Sequence, residues 1–398
     1  MSGASIAKTY APSSAEKTQA VVTTEQQKLL FRFVTYGSFL GFVENVYVES
    51  VGIAKKISIR NLLFRELDGK TYRVRNAPED DLPVSFATKK DLESFFPVCS
   101  TKIGYIGCVR DSDYRLPLYL EKLCYGNTAV LAGIGHGKSD LTAMIVSKLH
   151  LLKTRILIVD PTGEWNTVIR RVSQALSKTK GALSISSFTV SPVHYEKRGD
   201  EEVVVWSEKT AVLDALSKGN LVILDISFRT TDLKASQKLR ARCWVLQDIQ
   251  ESLMKEAAKR YNPEAPVEFQ TCVVLEEAHE FIPQKAMLKQ EHDNLNLLFA
   301  ISTKEYRKYG LGHIFLDQSL KAISEDIQIQ TFILGSTVTP SDVRFLETQL
   351  GEDVVSVVQR TAGSHSWVAF GQATPLGNIP WEINAFKADD LRWLSGPD

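Results

Sequence analysis

Between about residues 30 and 115, short runs of residues alternate between apolar and polar, as in GSFLGFVENVYVESVGIA, KTYRVRNA and KIGYIGCVR. Turn-forming stretches such as LDGK and NAPEDDLP separate these runs. Alternation with a period of two is typical of strands that bury one face, and no long helical pattern interrupts it. The pattern predicts a small β domain, a barrel or a sandwich, which we bound at residues 26–115.

From Leu116 onward, continuous apolar runs replace the alternation, and helical segments separate them. The runs are NTAVLAG, TRILIVD, NLVILDIS, TCVVLEE, GHIFLDQS, TFILGS and HSWVAFG. Strands that are apolar on both faces and are joined by helices belong to mostly parallel sheets with helices on both faces. Residues 116–398 are therefore predicted to form one α/β domain, with a helical insertion at about 229–263.

The first 25 residues are small and polar, and they lack the apolar centre of a secretion signal. We expect them to form a disordered tail. No apolar run is long enough for a membrane span. The five cysteines form no C-x-x-C pair, which favours free thiols and a cytoplasmic protein. A formal net charge of zero argues against a generally basic nucleic-acid coat but leaves a local basic stripe open.

The stretch LAGIGHGKSD, residues 131–140, has the context of a phosphate-binding loop: a strand, a glycine-rich turn and a helix. Glycines let backbone amides approach phosphate oxygens, and a helix N-terminus adds positive potential. Ala132 departs from the strict pattern, which has glycine there, and we expect the loop to close nevertheless. A glycine turn before a surface lysine is the alternative. The predicted ATP-binding residues of this loop are Gly133, Ile134, Gly135, His136, Gly137, Lys138, Ser139 and Asp140.

Two carboxylates, Glu276 and Glu277, end the apolar run TCVVLEE, as in a Walker B element. Neighbouring residues at a strand end point to different sides, so the two carboxylates need not share one task. We predict that Glu276 and the hydroxyl of Ser139 order Mg²⁺, and that Glu277 polarises the attacking water. The alternative is a solvated strand end whose acids favour the dipole of the following helix.

Two further strand ends carry polar residues. Asp160 ends the run ILIVD, and because ligands gather beyond the carboxyl ends of parallel strands, we predict that it lies near the nucleotide. Gln318 ends another strand and is a candidate sensor of the γ-phosphate, unless it is an ordinary turn residue. Glu164 is equally consistent with an acid in the first turn of the next helix.

The stretch KEYRKYG carries Lys304, Arg307 and Lys308. A cation directed at the γ-phosphate of a neighbouring subunit is common in ring ATPases, and we predict this role for Arg307. Three positive charges at a helix end also suit the helix dipole without any catalysis.

Three basic residues, Lys234, Lys238 and Arg242, recur every fourth position in DLKASQKLRARCW. On a helix they share one face, so they are candidate contacts to DNA phosphates. An ordinary solvated face is the alternative.

Over roughly residues 100–375, these segments resemble the HerA branch (DUF87) of the HerA/FtsK superfamily of ring-shaped ATPases. IVDPTGEW resembles the family's Asp-Pro-x-Gly-Glu-aromatic element, VVLEEAHEFIP is similar to its Walker B segment, and KEYRKYGLGHIFLDQS is similar to its arginine-bearing stretch and the strand that follows. The chain departs from the family at Ala132 and His136, at Lys304, and in the residues after Gln318.

The resemblance implies a RecA-like P-loop NTPase core preceded by a small barrel, with ATP and Mg²⁺ bound between the subunits of a homohexamer. It implies translocation of double-stranded DNA through a central channel, with a nuclease partner such as NurA in DNA end processing or another effector in antiphage defence. A ring that uses nucleotide only to assemble and to scaffold a nuclease is the second hypothesis. A secretion or conjugation ATPase is a third, which the Glu-Glu-Ala-His element disfavours.

Overall fold

The computed structural model describes residues 5–10, 13–22, 30, 32–48, 54–66, 70–97, 102–178, 183–191, 194–198, 201–264, 271–319, 322–335, 347, 355, 357–358, 366–377, 379–387 and 389–393. The chain divides into two compact units. The first comprises residues 1–99 and 111–114, and the second comprises residues 100–110 and 115–398.

The first unit is a β-barrel followed by one short helix. Its elements are β1 (Ala7–Tyr10), β2 (Lys17–Val22), β3 (Phe33–Tyr36), β4 (Phe39–Val48), β5 (Ala54–Arg65), β6 (Thr71–Arg73), β7 (Pro83–Phe86) and α1 (Lys89–Phe95).

The strands of this unit close into a ring in the order β2, β1, β7, β3, β4 and β5, and β5 pairs with β2 again. The short strand β6 extends the sheet from the other side of β5. Alternate residues of the strands point inward, and Val34, Val43, Ile57 and Ile59 are fully buried there. The period-two pattern in the sequence therefore corresponds to one face of each strand inside a closed barrel.

The prediction of a disordered tail over residues 1–25 is wrong for the described residues of that segment. Residues 7–10 and 17–22 form β1 and β2, and β1 pairs with both β2 and β7. Ala7 and Ala20 are fully buried in the barrel core. Small residues such as these are typical of linkers in sequence, but in this unit they fit the crowded interior of the barrel.

The second unit contains the α/β sheet and its helices. Its strands are β8 (Ile103–Val109), β9 (Arg115–Tyr119), β10 (Thr128–Leu131), β11 (Arg155–Asp160), β12 (Ile185–Thr189), β13 (His194–Arg198), β14 (Glu201–Val205), β15 (Leu221–Asp225), β16 (Thr271–Leu275), β17 (Leu311–Asp317), β18 (Thr331–Gly335), β19 (Ser366–Gly371) and β20 (Trp381–Ala385). Its helices are α2 (Leu120–Tyr125), α3 (Lys138–Leu151), α4 (Trp165–Ser177), α5 (Lys209–Ser217), α6 (Ala235–Arg260) and α7 (Lys289–Glu305), with 3₁₀ helices at Ala278–Glu280, Tyr306–Tyr309 and Leu391–Trp393.

Within the described residues, the large sheet has 11 strands in the order β12, β15, β11, β16, β17, β10, β18, β19, β20, β8 and β9. The strands from β12 to β18 in this order pair in parallel. The strands from β18 to β9 pair antiparallel. The parallel strands are the continuous apolar runs of the sequence, because helices cover a parallel sheet on both faces.

Two predicted boundaries need correction. The predicted barrel domain extended to residue 115, but residues 103–109 form β8, which pairs with β20 and β9 in the large sheet. The predicted helical insertion is α6, a crossover helix between β15 and β16 rather than an added module. Among the described residues, no helix has both the length and the apolar character needed to cross a membrane.

A buried polar network ties α6 and α7 to the start of the parallel strands. His313 of β17 lies 3.1 Å from Asn127 Oδ1 through its Nδ1, and 3.1 Å from Gln250 Nε2 through its Nε2. Gln250 Nε2 donates in turn to Ser302 Oγ at 2.9 Å. Full burial lowers the pKa of His313 to about 3, so the imidazole is neutral in the folded protein.

Candidate functional site

The loop between β10 and α3 adopts the backbone that a phosphate cradle requires. Gly135 has φ +79° and Gly137 has φ +85°, a left-handed conformation that side chains rarely adopt. A Cβ atom at either position would meet no heavy atom within 4 Å. These glycines are therefore needed for the path of the backbone and not for close packing. Ile134, beside them, is 82% exposed at the tip of the loop.

Lys138 opens α3 and folds back over this loop. Its Nζ donates to Ala132 O at 2.6 Å and lies 3.4 Å from Gly133 O. Burial lowers the pKa of Lys138, and the charges of Glu277, Asp317 and Glu276 oppose that shift. The ammonium group thus lies between the phosphate cradle and a group of carboxylates, where it can interact with phosphate oxygens.

Glu276 lies beside the first turn of α3. Its Oε1 is 3.4 Å from Ser139 Oγ, and its Oε2 is 3.1 Å from Thr162 Oγ1. Burial raises the pKa of Glu276 to about 7, and the nearby charge of Asp160 adds to this effect. Hydroxyl and carboxylate oxygens are the ligands that Mg²⁺ accepts, so Ser139 and Glu276 fit this ion.

Glu277 points to a different group of partners from Glu276. It has φ +48°, a left-handed conformation that is uncommon outside glycine. Burial raises the pKa of Glu277, and the charge of Asp317 adds to the effect, while His279, Lys138 and a hydrogen bond from Gln318 oppose it. A half-buried carboxylate with a raised pKa is suited to accepting a proton from water.

His279 and Asp317, which were not among the predicted site residues, complete this group. The His279 backbone amide donates to Asp317 Oδ2 at 2.8 Å, and His279 Nδ1 lies 3.0 Å from the same oxygen. The same nitrogen lies 3.5 Å from Glu277 Oε2. The hydrogen bond to Asp317 raises the pKa of His279. The only sequence signal for Asp317 was its position at a strand end, next to Gln318.

The structure gives Asp160 a different role from the predicted nucleotide contact. Its Oδ1 accepts from the amides of Thr162 at 3.0 Å and Gly163 at 2.7 Å, and its Oδ2 accepts from the amide of Trp165 at 2.9 Å. Asp160 is fully buried. It therefore shapes the turn after β11 and thereby places the Thr162 hydroxyl beside Glu276.

Arg307 is exposed in the 3₁₀ helix that precedes β17, whereas Asp317 is the last residue of that strand and Gln318 follows it. A strand of 7 residues spans roughly 20 Å. Arg307 is thus at the opposite edge of the sheet from the loop of its own chain. The predicted contact of Arg307 with γ-phosphate is possible only toward another subunit.

The predicted basic stripe on α6 is not uniform. Lys234 is exposed at the start of the helix, and Lys238 is partly exposed. Arg242 is largely buried, with 16% of its side chain exposed, and forms an ion pair with Glu280 at 2.6 Å. The assignment of Arg242 to a DNA-contacting face is therefore wrong, because its guanidinium is engaged inside the unit.

A pocket of about 520 Å³ opens beside the end of the phosphate loop. His136, Asp140 and Gln174, the last of them on α4, are among its lining residues. Trp367 and Phe386 contribute aromatic surface. The size and the mixed apolar and polar lining are typical of small-molecule sites.

Comparisons with known proteins show which families this chain is similar to. The family model described as the central domain of helicase HerA matches residues 103–331. The DNA double-strand break repair helicase HerA of Sulfurisphaera tokodaii is 25% identical in an alignment that covers 84% of this chain and 79% of that protein. The protein of the same description from Sulfolobus acidocaldarius is 24% identical in an alignment that covers 90% of this chain and 83% of that protein.

Among solved structures, VirB4 of Thermoanaerobacter pseudethanolicus aligns with a TM-score of 0.45 and 12% identity over 73% of this chain and 98% of its own. The family match spans more than half of the chain, and the phosphate loop, Glu276, Glu277 and Gln318 all lie within it. The chain therefore belongs to the HerA helicase family and is an ATPase with a P-loop core and an N-terminal barrel.

Proposed function

We propose that this protein is an ATP-driven translocase of double-stranded DNA that works as a homohexameric ring. The observation that carries the proposal is the convergence of three elements at one sheet edge. Lys138 extends over the phosphate loop, and Ser139 Oγ lies 3.4 Å from Glu276. Glu277, whose pKa is raised by burial, interacts electrostatically with Lys138. This is the set of groups that hydrolysis of a nucleoside triphosphate needs.

The residues divide the work of hydrolysis among them. Lys138 neutralises charge on the β- and γ-phosphates, and Ser139 and Glu276 would hold Mg²⁺, which would supply further positive charge for the phosphates. Water attacks the γ-phosphorus in line with the leaving oxygen of ADP, and Glu277 accepts the proton that the water releases. Gln318, which hydrogen-bonds Glu277, orients its carboxylate. The nucleoside occupies the pocket beside His136 and Gln174.

Arg307 completes the site of the neighbouring subunit in the proposed ring. Its position at the far edge of the sheet supports this, since it has no access to its own phosphate loop. Lys234 and Lys238 are the proposed contacts to the phosphates of the duplex, and both are at least partly exposed. If each of six subunits neutralised one phosphate, log K would fall with log salt at a slope of about −5.

Two of the relatives are described as DNA double-strand break repair helicases. For this chain we propose a nuclease as the partner of the ring, in the processing of DNA ends. The motor and scaffold hypotheses differ in what hydrolysis is for. A motor needs turnover at Glu277, whereas a scaffold needs only bound nucleotide.

The test uses the full chain and measures its mass in solution and its ATP turnover with and without linear duplex. We expect a hexamer whose turnover rises with duplex. Glu277→Gln should abolish turnover while ATP binding is kept, and Glu264→Gln, on an exposed surface, should behave as wild type. If Glu277→Gln still supports degradation of DNA by the co-purified nuclease, the motor proposal is wrong and the scaffold is correct.

A further inference from the structure

A single guanidinium holds three segments that surround the candidate site. Arg242, in the third turn of α6, donates from Nε to Ile226 O at 3.1 Å. Its Nη2 donates to Pro161 O at 2.9 Å and to Ser227 O at 3.0 Å. Its Nη1 donates to Glu280 Oε2 at 2.6 Å. The segments after β11, β15 and β16 are thereby fixed to one point on one helix.

The first branch leads to Glu276. Pro161 is followed by Thr162, whose hydroxyl lies 3.1 Å from Glu276 Oε2. Arg242 holds the carbonyl of the peptide bond that joins Pro161 to Thr162. Asp160 holds the amide and the hydroxyl of Thr162 from inside this turn, and the bond from Arg242 fixes the turn from outside, so both act on the orientation of Glu276 toward Ser139.

The second branch leads to Glu277. Glu280 closes the 3₁₀ turn that begins at Glu277, and its amide donates to Glu277 O at 2.9 Å. Glu277 has φ +48°, a conformation that costs free energy and persists only where the surroundings enforce it. The ion pair with Arg242 anchors the far end of this turn.

The guanidinium is suited to this role for electrostatic and geometric reasons. Only 16% of the Arg242 side chain and 27% of the Glu280 side chain are exposed. Separating the two would leave each charge largely buried without its partner, which is unfavourable. The planar guanidinium carries five N–H donors on three nitrogens in a fixed fork, so it reaches acceptors on three separate segments, whereas the ammonium of lysine is one compact group on a flexible stem.

We propose that Arg242 is a positioning residue for hydrolysis, which sets the placement of Glu276 and Glu277 relative to each other. It acts through Thr162 on the one side and through Glu280 on the other, and it does not touch the nucleotide. This inference rests on the proposed function of the same site, in which both carboxylates act on ATP. It also makes α6 part of the catalytic apparatus, although its basic face was assigned to DNA.

The test compares ATP turnover in Arg242→Lys, Glu280→Gln and the double variant. A displaced carboxylate impairs the reacting geometry more than ATP binding, so kcat should fall about 10- to 100-fold while KM for ATP changes less than about twofold. Because Glu280 acts only through its contact with Arg242, the double variant should be no slower than the slower single variant.

Arg240→Lys is the matched control, since Arg240 is two residues away on α6, has half of its side chain exposed and forms an ion pair with Glu291 at 2.7 Å. It should keep kcat within about twofold of wild type. Thermal unfolding of every variant separates loss of positioning from loss of fold, and Glu280→Gln keeps the test open if Arg242→Lys does not fold.

Wild-type kcat in both single variants would overturn the proposal. So would a fall in kcat matched by an equal rise in KM and a lowered Tm, because Arg242 would then only stabilise the fold. These values of kcat and KM are measured without duplex, so that they test the positioning role of Arg242 independently of DNA binding. Absence of stimulation by duplex in the wild type would instead contradict the proposed function.

Discussion

Ala132 and Gly335 share one space at the ends of the neighbouring strands β10 and β18. A Cβ atom added to Gly335 would lie 2.7 Å from the Cβ of Ala132 and 3.2 Å from Trp367 Cζ3. Ala132, which occupies a position where the P-loop pattern has glycine, is itself 1% exposed. The missing side chain of Gly335 therefore makes room for the unusual alanine, and the loop keeps its cradle conformation.

We predict that Gly335→Ala displaces the phosphate loop. Overpacking of this kind costs about 1–3 kcal/mol, so kcat/KM for ATP should fall about tenfold. Ala132→Gly in the same chain removes the closest contact and should restore most of the activity. Steady-state kinetics of the two single variants and the double variant test this. An additive loss in the double variant would show that the two positions are not coupled.

Removal of the Ser139 hydroxyl should weaken the response to Mg²⁺. In Ser139→Ala, Glu276 loses its neighbour at 3.4 Å, and we expect the Mg²⁺ concentration for half-maximal turnover to rise about tenfold or more. The matched control is Ser147→Ala on the same helix, because Ser147 Oγ is buried with no hydrogen-bond partner in the described part of the chain. An unchanged Mg²⁺ titration in Ser139→Ala would remove Ser139 from the metal site.

Arg307→Ala should lower turnover by about 10³-fold or more while ATP binding stays near normal, because a finger acts on the charge that develops in the transition state. Since Arg307 lies at the far edge of the sheet, the defect should be complemented in mixed rings. Mixing Arg307→Ala with Lys138→Ala should restore some turnover, as the intact loop of one variant meets the intact arginine of the other.

The exposed neighbour Lys308, whose Nζ lies 5.0 Å from the ring centre of Tyr309, provides the control variant Lys308→Ala. Failure of every mixture to regain activity, with hexamers still formed, would contradict a role for Arg307 across the subunit interface.

His313 should make the protein less stable in acid. The unfolded chain binds a proton at His313 below pH about 6.5, whereas the buried imidazole, with a pKa of about 3, does not. The unfolded state then holds more protons, so stability falls as pH drops from about 6.5 toward 3, by about 2 kcal/mol between pH 7 and pH 5.

Urea unfolding of wild type and His313→Gln at pH 7 and pH 5 measures this effect. The variant should be less stable than wild type at pH 7, since it disturbs the contacts with Asn127 and Gln250, but it should lose less stability on acidification. Contributions from other groups are common to both proteins and cancel in the comparison. Equal losses in the two proteins would mean that His313 is not the group responsible.

Contiguous motifs could be predicted from sequence, because the relative positions of residues close along the chain depend mainly on local backbone conformation. The strand, the glycines and Lys138 lie within a dozen residues, so their spatial relation follows from local backbone preferences. Glu276 and Glu277 could be placed at a strand end for the same reason, and alternation along a strand predicted their separate directions. Burial of the parallel strands also followed directly from their continuous apolar runs.

Contacts between distant segments could not be predicted in this way. The spacing of Lys234, Lys238 and Arg242 defined a helix face but did not indicate what that face meets. Asp317 and Thr162 escaped notice since their roles depend on strand order, which sets β17 next to β16 and places the turn after β11 beside Glu276. The segments of β1 and β2 resembled a tail because their small residues give little strand signal by themselves. They form strands through pairing with each other, with β7 and with β5.

The sequence by itself determined the phosphate loop, the paired carboxylates and the class of fold, because near-neighbour spacing and burial patterns impose them. Only the tertiary structure decided that Gly335 accommodates Ala132, that Asp317 joins Glu277 through His279, and that Arg242 faces inward. These relations join residues far apart along the chain, and their energies depend on distance and desolvation, which exist only once the sheet is assembled.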